Sequence, residues 1–166
     1  MIRKAMPAGR QGYTLIEVLI SLTIIGLLFG FGFASFRDFS RRQHLASVAR
    51  TIKGELRLVQ GKASAAEKPD NVKCSGTNTL SSYSFQIVNS TSYKVTANCL
   101  GGNVDIWDVP KSLPDGISMS PTSGTISFKV LGQGTNIVSV PIVITFTQAG
   151  TNNKSYVTVT AGGEIK

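Results

Sequence analysis

Apolar positions follow three successive patterns along the 166-residue chain. Tyr13 to Phe36 is almost continuously apolar, enough for the ~20 residues a spanning helix needs, and Glu17 is its one charged residue. Beyond Arg37 the spacing changes. Leu45, Val48, Ile52, Leu56 and Val59 recur at intervals of three and four, the signature of one helix face, while Arg41, Arg42, Arg50 and Arg57 largely occupy other faces. The two patterns predict one helix from about Tyr13 to about Ala63, roughly 75 Å long at 1.5 Å per residue. From Ala65 the period becomes two. Tyr83, Phe85 and Ile87 alternate with polar residues, as do Tyr93, Val95 and Ala97, with Asn89-Ser90-Thr91 as a hairpin turn between them. Further strands are expected at Ile117–Met119, Thr125–Val130, Val140–Thr147 and Ser155–Thr160, separated by Gly, Pro, Asn and Asp turn chemistry. The expected fold is therefore α+β: a long N-terminal α-helix with a membrane-spanning first half, packed on a C-terminal antiparallel β-sheet domain. An apolar sheet face needs a cover, and the Leu45–Val59 stripe supplies it.

Glu17 is the anomaly in this pattern. A carboxylate within a spanning segment costs on the order of a few kcal/mol, so it calls for a partner. Gly12 sits just before the apolar run, behind the basic Arg3, Lys4 and Arg10. Cutting after Gly12 would leave a positively charged amine on Tyr13, one helical turn from Glu17, able to pair with Glu17 of a neighbouring chain. A secretory signal peptide does not fit, because its apolar core is only about 7–15 residues long and ends in an A-x-A cleavage site. Gly26-x-x-x-Gly30 has the spacing of a close helix-association motif.

Charge distribution changes the picture more than its sum. The net charge is +8. Residues 1–12 hold three basic and no acidic side chains, residues 13–62 seven against three, and residues 63–166 seven against six. The basic excess thus lies in the leader and the helix, which argues against a broad nucleic-acid footprint on the β domain. Cys74 and Cys99 are the only cysteines; in an exported domain the pair is expected to form a disulfide, two free thiols being the alternative. His44 is the only histidine, so zinc spacing and a Ser-His-Asp arrangement lack support. No catalytic residue, metal ligand or cofactor is expected, and the chain does not read as an enzyme.

Gly12-Tyr13-Thr14-Leu15-Ile16-Glu17-Val18-Leu19-Ile20 resembles the N-terminus of type IV prepilins and pseudopilins. The resemblance implies a leader over 1–12, cleavage after Gly12 by a membrane-embedded prepilin peptidase, and methylation of the Tyr13 amine. It implies assembly through Tyr13 and Glu17, a spanning and assembly segment over 13–36, an amphipathic helix half over 37–63 and a β-rich domain over 64–166. Its implied partners are other pilin or pseudopilin subunits, the inner or cytoplasmic membrane and an assembly platform. Arg3, Lys4 and Arg10 balance Arg37, Arg41 and Arg42 under the positive-inside rule, so the resemblance and the cysteines set the orientation, with the C-terminal domain outside the cytoplasm. Family members commonly carry a helix proline where this chain has Ala34, leaving Gly26, Gly30 and Gly32 as its points of helix weakness. Leu113-Pro114-Asp115-Gly116-Ile117, Ile126-Ser127-Phe128 and the Tyr156–Lys166 tail resemble the C-terminal half of minor pilins and H-type pseudopilins. The implied function is a structural subunit of a type IV pilus-like or type II secretion-like filament. A DNA-binding minor pilin for DNA uptake is the alternative, and Glu164, where DNA-binding relatives carry arginine, counts against it.

Overall fold

The computed structural model describes the backbone of residues 12–166 and the side chains of residues 12–30 and 36–166. The expected leader therefore lies, except for Gly12, outside the described residues. Helix α1 runs Leu15–Ser64, and the chain divides into two units at Ser40/Arg41.

In the first unit the helix carries uncovered apolar side chains from Leu15 to Phe29. This described stretch is shorter than the ~20 residues of a bilayer span. Among the described residues no helix is long and apolar enough to cross a membrane.

In the second unit α1 buries the expected stripe, Leu45, Val48, Ile52, Leu56 and Val59, together with Ala49 and Ala63. The helix stops in a Schellman motif. Glu67 N–H bonds the carbonyl of Lys62 (3.1 Å) and Ala66 N–H that of Ala63 (3.0 Å), with Ala66 in the left-handed region at φ 49°.

The β-rich part is antiparallel throughout, as expected, and forms two sheets. The first contains β1 (Leu80–Asn89), β2 (Ser92–Cys99), β3 (Gly102–Asp105), β4 (Lys111–Ser112) and β6 (Gly124–Lys129) in the order β3-β2-β1-β6, with β4 also on β2. The second contains β5 (Ile117–Ser120), β7 (Ile142–Gln148) and β8 (Lys154–Val159) in the order β5-β7-β8. All strand pairs are antiparallel. The β1–β2 hairpin turns through Ser90 and Thr91, where the Asn89 carboxamide oxygen accepts the Thr91 N–H at 2.8 Å. Its register places Tyr83 opposite Ala97, Phe85 opposite Val95 and Ile87 opposite Tyr93, and all six are buried. The reverse face is also covered at Ser84 and Thr96. There Ser84 shares a hydrogen bond with Ser127 (2.8 Å) and accepts one from Asn98 (2.6 Å), and Thr96 donates to Asp105 (2.9 Å). The helix stripe and the buried faces of both sheets make one contiguous core.

Polar and covalent ties fix this arrangement. Cys74 and Cys99 form a disulfide with Cα atoms 5.3 Å apart, closing a loop worth roughly 3 kcal/mol in the chain-entropy view. Gln60 of α1 donates to the carbonyl of Gly163 at 2.9 Å. Gly163 has φ 88°, a conformation that L side chains rarely adopt, so glycine suits the turn that brings the tail to Gln60. Glu55 of α1 pairs with Lys111 of β4 at 2.7 Å. The Lys111 ammonium also stands 3.9 Å from the Trp107 ring centre. Trp107 in turn meets Tyr93 edge-on at 5.9 Å, and Tyr93 stacks on Phe85 at 5.0 Å.

Leu56 and Leu58 lie on opposite faces of α1, the former fully buried and the latter 53% exposed. Leu56→Ala is expected to destabilise the β-rich unit by about 2–5 kcal/mol, and Leu58→Ala by less than about 0.5 kcal/mol, as measured by urea unfolding followed in the near-UV. Burial, with the Glu55 carboxylate as the lesser cause, raises the Tyr93 phenol to about 12 from 10.0. A raised phenol pKa gives stability that is present below about pH 10 and lost as pH climbs towards 12, because the unfolded chain gives up its proton first. Tyr93→Phe should flatten that alkaline loss in a pH series of melting temperatures.

Candidate functional site

The expected processing and assembly residues sit where α1 begins. Gly12, Tyr13 and Thr14 precede the helix. Tyr13 is 83% exposed, and a Cβ placed on Gly12 would meet nothing within 4 Å, so this peptide segment is open on the described side. The helix starts here because Thr14 caps it. The Thr14 hydroxyl accepts the Glu17 N–H at 3.3 Å, and its carbonyl accepts the N–H groups of Glu17 and Val18 at 3.1 and 3.2 Å. Thr14-Leu15-Ile16-Glu17 has the Ser/Thr-x-x-Glu spacing of a capping box. The sequence carried that signal, and reading Glu17 only as an anomaly missed it.

Glu17 therefore has two physical roles at one position. In the first turn its negative charge complements the positive end of the helix dipole, typically worth about 0.3–1 kcal/mol. Its carboxylate, however, has no hydrogen-bond or ion-pair partner among the described residues. The other polar side chains of this stretch satisfy themselves. Ser21 donates to the carbonyl of Glu17 and Thr23 to that of Ile20, both at 2.7 Å, so among the described residues of this stretch the Glu17 carboxylate stands without a protein partner.

Its surroundings are apolar on every side. Leu15, Ile16, Leu19, Ile20, Leu22, Ile24, Leu27 and Leu28 are each more than half exposed and Val18 and Ile25 nearly half, and at 100° per residue these positions go all round the helix. Gly26 and Gly30 are open to solvent, with nothing within 4 Å of an added Cβ, as a close helix–helix approach requires. Gly32 and Ala34 belong to positions whose side chains are outside the description.

The remaining candidates lie in the second unit. Cys74 and Cys99 are joined as expected. His44 is exposed and lines a shallow depression of about 270 Å³ with Ser47, Thr51, Tyr93 and Pro114. Among the described residues no group of His, Cys, Asp or Glu side chains is placed to hold a metal ion.

Comparison with curated proteins and with solved structures gives no match. Residues 7–33 match the family model described as the prokaryotic N-terminal methylation motif, an interval that contains Gly12, Tyr13, the Thr14 cap, Glu17 and the uncovered apolar stretch. The chain carries, at its N-terminus, the methylation motif of type IV pilin-like proteins.

Proposed function

We propose that this protein is a structural minor pilin or pseudopilin subunit. It is held in the inner or cytoplasmic membrane by the Tyr13–Phe36 segment with its β-rich domain outside the cytoplasm, and is then drawn into a type IV pilus-like or type II secretion-like filament. A prepilin peptidase cuts after Gly12 and the new amine of Tyr13 is methylated. The observation that carries this reading is a helix start with uncovered apolar side chains that bears one carboxylate, Glu17, without a partner among the described residues.

The mechanism is packing and electrostatics. In lipid, helix association gains little from apolar burial and draws on close packing and polar contacts. Moving an unpaired carboxylate into a bundle of such helices is costly. A methylated but still charged amine on Tyr13 of a neighbouring subunit offsets that cost when the two subunits stand in one axial register, so the pair selects the register. Gly26 and Gly30 then let the helix backbones approach. Nothing in this mechanism calls for catalysis by the chain itself.

Two outcomes are expected. Mass spectrometry of filament material from the native host should show the chain starting at N-methylated Tyr13; an intact Met1 on assembled protein would contradict the processing step. Glu17→Ala should leave the amount of protein in the membrane fraction unchanged while lowering its incorporation into sheared filaments by about tenfold or more, the equivalent of ~1.4 kcal/mol. Normal incorporation of that variant would remove the register mechanism.

A further inference from the structure

Basic residues crowd the C-terminal flank of the apolar segment. Arg37, Arg41 and Arg42 all follow Phe36 within six residues, on the outer side in the orientation proposed above. Under the positive-inside rule Arg3, Lys4 and Arg10 only balance them, and cleavage after Gly12 takes those three away. Cations kept on the outer flank act against that orientation unless an anion meets them there. The carboxylate among them, Asp38, makes no ion pair among the described residues.

The fold adds a fourth cation from the far end of the chain. Arg42, Leu45 and Ala46 line a depression of about 240 Å³ whose other wall is Asn153, Lys154 and Ser155, where β8 begins. Arg42 and Lys154 are both exposed and have no carboxylate partner among the described residues. The side chains of Asn153 and Ser155 make no hydrogen bond there either, so a carboxamide and a hydroxyl stand ready to donate. Two like charges beside one depression repel, and an anion between them reverses the sign of that energy. A phosphate, with several acceptor oxygens, uses both cations and both donors at once.

Position along α1 selects where such a phosphate comes from. Arg42 lies about 9 Å of helix rise beyond Phe36. Helix side chains lean towards the N-terminal end, which returns its guanidinium towards a headgroup layer roughly 5–8 Å deep on each side of the hydrocarbon core. Arg50 and Lys53 line the next depression, about 21 and 26 Å beyond Phe36 and out of reach of that layer.

We propose that the depression between Arg42 and the start of β8 binds the phosphate of an anionic phospholipid headgroup, with Arg42 and Lys154 on its charge and Asn153 and Ser155 donating to its oxygens. This rests on the reading that Tyr13–Phe36 is held in a membrane and deepens it, because it names the lipid class that the base of the β-rich domain contacts before the subunit is drawn into a filament.

The test uses the full chain in nanodiscs of phosphatidylcholine, with or without a third of it replaced by phosphatidylglycerol, and hydrogen–deuterium exchange read by mass spectrometry. Exchange in the peptide covering Gly150–Ser155 is expected to slow several-fold when phosphatidylglycerol is present. Arg42→Gln with Lys154→Gln should remove that slowing at unchanged melting temperature. Arg50→Gln with Lys53→Gln, an equal change of charge farther along α1, should keep it. Equal exchange in the two discs would overturn the proposal, as would an equal loss in the Arg50/Lys53 pair, which would mark a diffuse field in place of a site. The same slowing produced by soluble glycerol phosphate in pure phosphatidylcholine discs would assign the depression to a free anion and overturn the lipid assignment. Flotation with phosphatidylcholine vesicles after alkaline extraction separates the two levels of the argument. A chain that fails to float overturns the membrane reading and this inference with it, whereas one that floats and ignores phosphatidylglycerol overturns this inference alone.

Discussion

Burial of the Leu45–Ala63 face of α1 is the interaction on which the globular unit depends. Its side chains meet the apolar faces of two sheets in one core, and fully burying each large aliphatic side chain contributes roughly 1.5–3 kcal/mol. Neither sheet could keep its inner face dry alone, since β5-β7-β8 has only three strands and β3 and β4 are four and two residues long. The ties of Glu55 to Lys111, of Gln60 to Gly163 and of Cys74 to Cys99 then fix where strands, tail and helix sit once the apolar faces have met. A surface ion pair is usually worth little. Glu55–Lys111 differs because the Glu55 side chain is only 15% exposed, so loss of Lys111 leaves the Glu55 carboxylate in a poorly solvated place, while the lysine, 41% exposed, keeps much of its hydration.

The first stretch of the same helix obeys the opposite rule. From Leu15 to Phe29 nothing among the described residues covers its apolar side chains, and the local terms that favour its start are the Thr14 cap and the charge of Glu17 in the first turn. A segment built this way is a complete helix with an incomplete environment. The proposed assembly role rests on that incompleteness, with lipid or like helices as the source of the missing contacts and Glu17 as the group that sets their register.

What the sequence determined by itself is what periodicity and spacing encode. The buried stripe Leu45, Val48, Ile52, Leu56 and Val59, the hairpin of Tyr83–Ile87 with Tyr93–Ala97, and the Thr14–Glu17 start of the apolar helix were all legible, because a helix or strand imposes its repeat on nearby residues whatever else the chain does. Tertiary structure alone decided the division into two sheets. Alternation says that a strand has an inner face and not which partner lies beside it, and β3 and β4 are too short to show a period at all. It also decided which charges become neighbours. Glu55 and Lys111 are 56 residues apart and still make a 2.7 Å pair, while Arg42, Arg50 and Lys53 meet Lys154 and Lys166 only because β8 and the tail are laid along α1. Charge sums are local and electrostatic potential is not: it falls off over about 10 Å of space at ordinary salt, a distance that the fold sets and the order of residues does not.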